Sequence, residues 1–139
     1  MLDVSAFTSA CRQLQTSLAY LSSDAALADP ELRKQFRGAS ILAFEFTHEL
    51  ASKMLLRRHV ATLLPNPAEA AGLSHMDLLR AASSAGLPLD PTAWRRYREL
   101  RNPTSHTYDG ERAEELVAML PDFLVAASQL AAALRAAHG

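Results

Sequence analysis

The stretch Trp94 to Asp109 reads WRRYRELRNPTSHTYD and holds the residue types that phosphodiester chemistry needs. Arg101 and His106 stand five positions apart in it. A guanidinium can grip a phosphate bidentately and stabilise the charge developing on it, and an imidazole can shuttle a proton near neutral pH. Trp94, Tyr97 and Arg101 follow the i, i+3, i+7 spacing of one helical face. That places a cation beside two aromatics, in an interface or cleft rather than in open solvent. Arg95, Arg96 and Arg98 make the same helix locally basic, and Ser105, His106, Thr107 and Tyr108 add hydroxyls and an imidazole in the turn beyond it. The same residues also suit a plainer arrangement, an arginine at a helix end beside a turn histidine. Spacing alone favours the plainer arrangement.

Elsewhere the candidates thin out. His48-Glu49 begins like a zinc-protease helix, but the second metal-binding histidine would fall at 52, which is Ser52. Glu45-x-x-His48 is half of a carboxylate di-iron motif, and the chain lacks the second half, so His48 reads as a polar group packed between helices. His59, His75 and His138 have no evident partners in sequence and read as surface or cap residues. Cys11 shares an apolar stripe with Phe7 and Leu14 and reads as core; a single cysteine agrees with a reducing cytosol.

The elements that must position these residues are helices. The chain has 139 residues, the length of one domain, with 26 Ala and 23 Leu against four Val and one Ile. That disfavours a sheet, and with it a Rossmann or P-loop nucleotide site. A net charge of −1 confines any nucleic-acid binding to a local patch, and twelve of the fourteen basic residues are Arg. The longest uncharged apolar stretch, Phe123 to Leu134, falls short of the roughly 18 residues of a membrane span. No secretory signal is visible, so the expected setting is cytoplasmic.

The periodicity predicts about five helices in an all-α, up-and-down bundle, one domain over 1–139. Phe7, Cys11, Leu14, Leu18 and Leu21 mark the first, with Asp3 or Ser5 at its start. Asp29-Pro30-Glu31 opens the second, which meets no breaker before Pro65 and could run about 45 Å as a long central helix. Its stripe is Phe36, Ala39, Ala43, Phe46, Leu50, Met54 and Arg57, widened by Ile41, Leu42, Leu55 and Leu56 until the middle is apolar nearly all round. Ser74 with Asp77 starts a short helix that Gly86 closes. Asp90-Pro91 opens the helix through Arg101, which Asn102-Pro103 ends or kinks. Asp109-Gly110 turns into a last helix from about Glu111 to Ala136, where Pro121 should kink it or split it in two.

Two motifs carry a family resemblance. Arg101-Asn102-Pro103-Thr104-Ser105-His106-Thr107-Tyr108 resembles the R-x4-6-H signature of HEPN domains in its R-x4-H-x-Y form, and Phe44-Glu45-Phe46-Thr47-His48-Glu49-Leu50-Ala51 resembles the F-E-[FY]-T-x-E-L-A core of their long second helix. The branch is the one paired with minimal nucleotidyltransferases, whose members are called nucleotidyltransferase substrate-binding proteins. Proline stands at 103 where leucine is usual, Leu42 and Ala43 where Gln and Arg are common, and Ser52 where Trp is usual.

The resemblance implies a toxin–antitoxin pair in which the HEPN chain is a metal-independent endoribonuclease, without cofactor, acting as a homodimer. Arg101 and His106 become the catalytic pair, with Asn102 beside them. Arg95, Arg98 and Ser105 become phosphate-binding residues, and Glu45 and Thr104 supporting ones. Tyr108 becomes the acceptor of AMP from a nucleotidyltransferase encoded by an adjacent gene. A non-catalytic subunit that binds substrate or docks the nucleotidyltransferase is the alternative.

Overall fold

The structure is a computed structural model that describes residues 2–101 and 110–138. Seven α-helices and no strands occur among the described residues. They are α1 (Ser5–Leu21), α2 (Asp24–Ala28), α3 (Pro30–Glu49), α4 (Leu56–Ala61), α5 (His75–Ser84), α6 (Pro91–Arg101) and α7 (Gly110–His138). A π-helical turn, Leu50–Leu55, joins α3 to α4 with right-handed helical dihedrals at both junctions, so the predicted long helix is present from Pro30 to Ala61 with a π-helical interruption. A 3-10 turn, Pro67–Gly72, and the short α2 were not predicted.

Local chemistry sets the boundaries. Asp29 accepts the amides of Glu31 and Leu32 at 3.1 and 3.3 Å, Ser74 that of Asp77 at 3.1 Å, and Asp90 that of Thr92 at 3.1 Å. Asp3 accepts the amide of Ser5 at 2.9 Å. Gly86 has φ +99°, the left-handed position after α5 that favours glycine. Pro121 does not split the last helix, which continues through it to His138.

α3 touches α1, α2, α6 and α7, so it is the central element. The face it buries is not the predicted one. Ser40, Ile41, Phe44, Thr47, His48 and Ala51 are inside, whereas Leu42, Phe46 and Met54 are 69%, 57% and 41% exposed. Two small polar residues disguise the buried face. Ser40 donates to the carbonyl of Phe36 at 2.9 Å and Thr47 to that of Ala43 at 2.7 Å, which satisfies both hydroxyls within the helix. Arg57, placed in the apolar stripe, is half-buried and donates to the carbonyls of Ala70 and Leu73 at 2.9 and 3.0 Å, tying α4 to the 3-10 turn.

The core draws on Phe7, Cys11 and Leu14 of α1, Phe44 of α3, Leu78 and Leu79 of α5, Trp94 and Tyr97 of α6, and Leu116, Leu120, Phe123, Leu130 and Leu134 of α7. Burial there pushes the Cys11 thiol up to about 11. Glu114 of α7 is gripped by Arg33 and, at 3.4 Å, by Arg37 of α3. By length and apolar composition α7 is long enough to cross a membrane, which corrects the estimate from the uncharged stretch alone; its leucine and phenylalanine face is core against α1 and α3.

Two histidine readings also need correction. His59 is buried, and its Nδ1 lies 2.8 Å from Nε2 of His138, linking α4 to the end of α7. One ring must donate and the other accept, so burial and the neighbouring ring both push His59 below its ordinary value. His75 follows the Ser74 cap as expected, but its ring lies 6.4 Å from that of His48, with Nε2 buried.

Candidate functional site around Arg101

α6 presents Trp94 and Tyr97 to the core and carries Arg101, half-buried, at its last position on the same face, as the i, i+3, i+7 spacing requires. Phe123 of α7 sits at the centre of a ring cluster. Its centroid is 4.8 Å from Phe44, 5.1 Å from Tyr97, 5.6 Å from Trp94 and 6.2 Å from His48, and the first three meet it edge to face. This cluster fixes the roll of α6 about its axis and so aims Arg101 at α3.

There Arg101 meets Glu49. Its Nη2 donates to Oε2 of Glu49 at 3.0 Å, while Oε1 of the same carboxylate is 3.0 Å from Nζ of Lys53. The hydrogen bond from Lys53, with the charges of Lys53 and Arg101, holds the Glu49 carboxyl below its ordinary value. Nε of Arg101 is buried with no acceptor among the described residues, so part of its five-donor capacity is unspent. The π-helical turn begins directly after Glu49, at the position where α3 faces Arg101. Such turns concentrate at functional sites.

His48 is the polar group packed between helices that its sequence context implies. It is 1% exposed, stacked on Trp94 at 6.0 Å, and its Nε2 is 3.4 Å from the Ser52 hydroxyl. Desolvation, then the charges of Arg101, His75 and Arg98, push its pKa down to about 3. The consequence for stability has a definite sign. Between pH 6.5 and about 3 the unfolded chain binds a proton that the folded chain refuses, so stability falls as the pH drops through that window. The expected slope from this group is at most about 1.4 kcal/mol per pH unit. Thermal unfolding followed by circular dichroism from pH 7 to 5 should show it, and a His48→Leu variant should flatten the dependence. An unchanged slope in that variant would assign the acid sensitivity to other groups.

Of the residues expected in the site, Arg95 and Arg98 lie exposed on α6, with Arg95 Nε 3.5 Å from Oε1 of Glu99, and Glu45 is half-buried on α3. Asn102, Thr104, Ser105, His106 and Tyr108 lie outside the described residues, as does Pro103. Glu49 and Lys53 were missed. Glu49 was visible inside the F-E-F-T-H-E-L-A motif, but nothing in spacing links position 49 to position 101. Among the described residues no group of three or more His, Cys, Asp or Glu could hold a metal ion.

The chain is thus an α-helical bundle that holds a half-buried arginine at the end of a basic helix, and comparison with known proteins gives its family. The family described as "Nucleotidyltransferase substrate binding protein like" matches residues 2–136. The Haemophilus influenzae protein "Probable ribonuclease HepT" is 40% identical over 96 residues, 69% of this chain and 65% of that protein, so the match spans just under two thirds of the relative's length. A solved H. influenzae structure, HI0074, described as revealing "the fold of a substrate binding domain of a nucleotidyltransferase", superposes with a TM-score of 0.86 at 30% identity, over 96% of this chain and 99% of that one. The chain belongs to the nucleotidyltransferase substrate-binding, HEPN-like family.

Proposed function

We propose that the chain is a HEPN-type toxin, a metal-independent endoribonuclease whose catalytic pair is Arg101 and His106. The observation that carries this reading is the anchored, half-buried guanidinium of Arg101, in a family whose relative bears a ribonuclease name. In the proposed reaction His106 takes the proton from an RNA 2′-hydroxyl, whose oxygen attacks the adjacent phosphorus. Arg101 stabilises the added negative charge. The bond to the 5′-oxygen breaks, that oxygen is protonated, and a 2′,3′-cyclic phosphate remains. One motif supplies a single histidine where a base and an acid are both useful, so a two-fold homodimer that joins two motifs in one cleft completes the site. The exposed apolar face of the central rod, Leu42, Phe46 and Met54, supports such an assembly. Asn102, Thr104 and Glu45 support the pair, and Ser105 joins Arg95 and Arg98 in binding phosphate. No cofactor enters the reaction, and the setting is the cytoplasm.

The partner is a minimal nucleotidyltransferase from an adjacent gene, which silences the site by transferring AMP to Tyr108. The added phosphate sets negative charge against the arginines that would otherwise hold RNA. Incubation with that partner and ATP should add the mass of one AMP to the intact chain, and Tyr108→Phe should gain nothing. An adduct on the phenylalanine variant would place the modification elsewhere.

The second reading, a subunit that docks the nucleotidyltransferase without cleaving anything, is favoured by the family's own description and served by the same apolar face. Purified chain that cuts no single-stranded RNA in EDTA, yet binds the nucleotidyltransferase tightly, would select it.

A further inference from the structure

A cleft of about 470 Å³ opens between the start of α5 and the exposed side of α6, lined by Ser74, His75, Met76, Arg95, Arg98 and Glu99. It is separate from the Arg101–Glu49 contact, and its Arg98 lies one turn before Arg101 on α6. Its two cations differ. Arg95 is engaged with Glu99 at 3.5 Å, whereas Arg98 has no anionic partner among the described residues. The positive field of Arg98 reaches inward, where with burial and Arg57 it disfavours the proton on His75. Among the described residues an exposed guanidinium without an ion-pair partner therefore stands beside a recess of ligand-binding size. The first-turn amides of α5, of which Ser74 caps that of Asp77, add their partial positive charge to the same recess.

Resting on the ribonuclease reading, we propose that this cleft is a subsite for the RNA nucleotide next to the scissile phosphate. The neighbouring phosphodiester lies against Arg98, the base packs on Met76, and Glu99 accepts a hydrogen bond from the ribose or base. Arg98 stands one turn before Arg101 on α6, so a strand that reaches Arg101 has the cleft beside its path. The subsite would set substrate affinity and register without taking part in bond cleavage.

The test uses the full-length chain, a fluorescein-labelled single-stranded RNA decamer of mixed sequence, and the variants Arg98→Ala and Arg98→Lys. Arg96→Ala removes the same charge from the same helix outside the cleft and is the control. Binding is measured on the His106→Ala background, and cleavage on the wild-type one. Arg98→Ala should weaken binding about tenfold, lower the salt slope of log K by about 0.7, and raise KM with kcat nearly unchanged. Arg98→Lys should recover part of the loss, and Arg96→Ala should change affinity by less than about twofold. Circular dichroism confirms that each variant folds, as expected for exposed helical positions where Ala is favoured.

Cleavage by wild type with an unchanged KM in Arg98→Ala overturns the subsite and leaves the ribonuclease reading intact. Equal losses in Arg96→Ala and Arg98→Ala overturn it too, in favour of diffuse attraction. Arg98-dependent binding without any cleavage upholds the subsite and overturns the ribonuclease. A wild-type chain that neither binds nor cuts RNA overturns both.

Discussion

Replacing either Arg101 or His106 by alanine should remove the proposed cleavage of single-stranded RNA measured in EDTA, by about 10² to 10⁴-fold for the proton-transferring histidine and to a similar extent for the charge-stabilising arginine. The two losses have different origins. On the proposed mechanism, without His106 the 2′-hydroxyl would keep its proton and remain a weak nucleophile. Without Arg101 the proton could still move, but the phosphorus centre would gain charge without the guanidinium to meet it. Arg101→Lys separates charge from geometry. Lysine keeps the positive charge but cannot present a planar fork, so the variant should recover only a small part of the rate. Glu49→Gln should fall between wild type and Arg101→Ala, because it removes the carboxylate on which Nη2 rests at 3.0 Å while leaving the guanidinium in place. Activity within a few-fold of wild type in both alanine variants would detach the reaction from this motif.

The largest expected effect on folding comes from Phe123→Ala. The side chain is fully buried and touches α3 through Phe44 and α6 through Trp94 and Tyr97. Removing it leaves a cavity with aromatic walls that cannot collapse without moving two helices. The cost should be about 3–5 kcal/mol, against a total stability on the order of 5–15 kcal/mol for a domain of this size. Urea unfolding read by Trp94 fluorescence should show a lower midpoint. The same variant should lose RNA cleavage more than its folded fraction explains, since α6 loses the contact that aims Arg101. A loss below about 1 kcal/mol would mean that the ring cluster does not hold the three helices together.

Much of the helical framework was legible in the residues. Asp29-Pro30, Ser74 with Asp77, Asp90-Pro91 and Gly86 are local signals, and the structure places each at the boundary it implies. The buried face of α3 was not legible, because a helix apolar nearly all round offers periodicity two answers. Ser40 and Thr47 lowered the apparent hydrophobicity of the correct one while bonding within their own helix. Pairings distant in sequence were equally invisible. Glu49 with Arg101, and His59 with His138, depend on how helices cross, and no spacing rule carries that. Of the site itself, Arg101 and its orientation toward an interface followed from Trp94 and Tyr97. The arrangement of His106 and Tyr108 lies outside the described residues.

The carboxylate of Glu49 divides itself, one oxygen to Lys53 and the other to Arg101. Two cations and one anion leave the trio with a surplus of one positive charge, whichever way the carboxylate leans. An arginine paired one to one would be anchored at the expense of its field; an arginine with no acid would keep its field and wander. Sharing gives both fixity and surplus, so an incoming polyanion, as the proposed function requires, would meet a charge that is already held in place and not already spent.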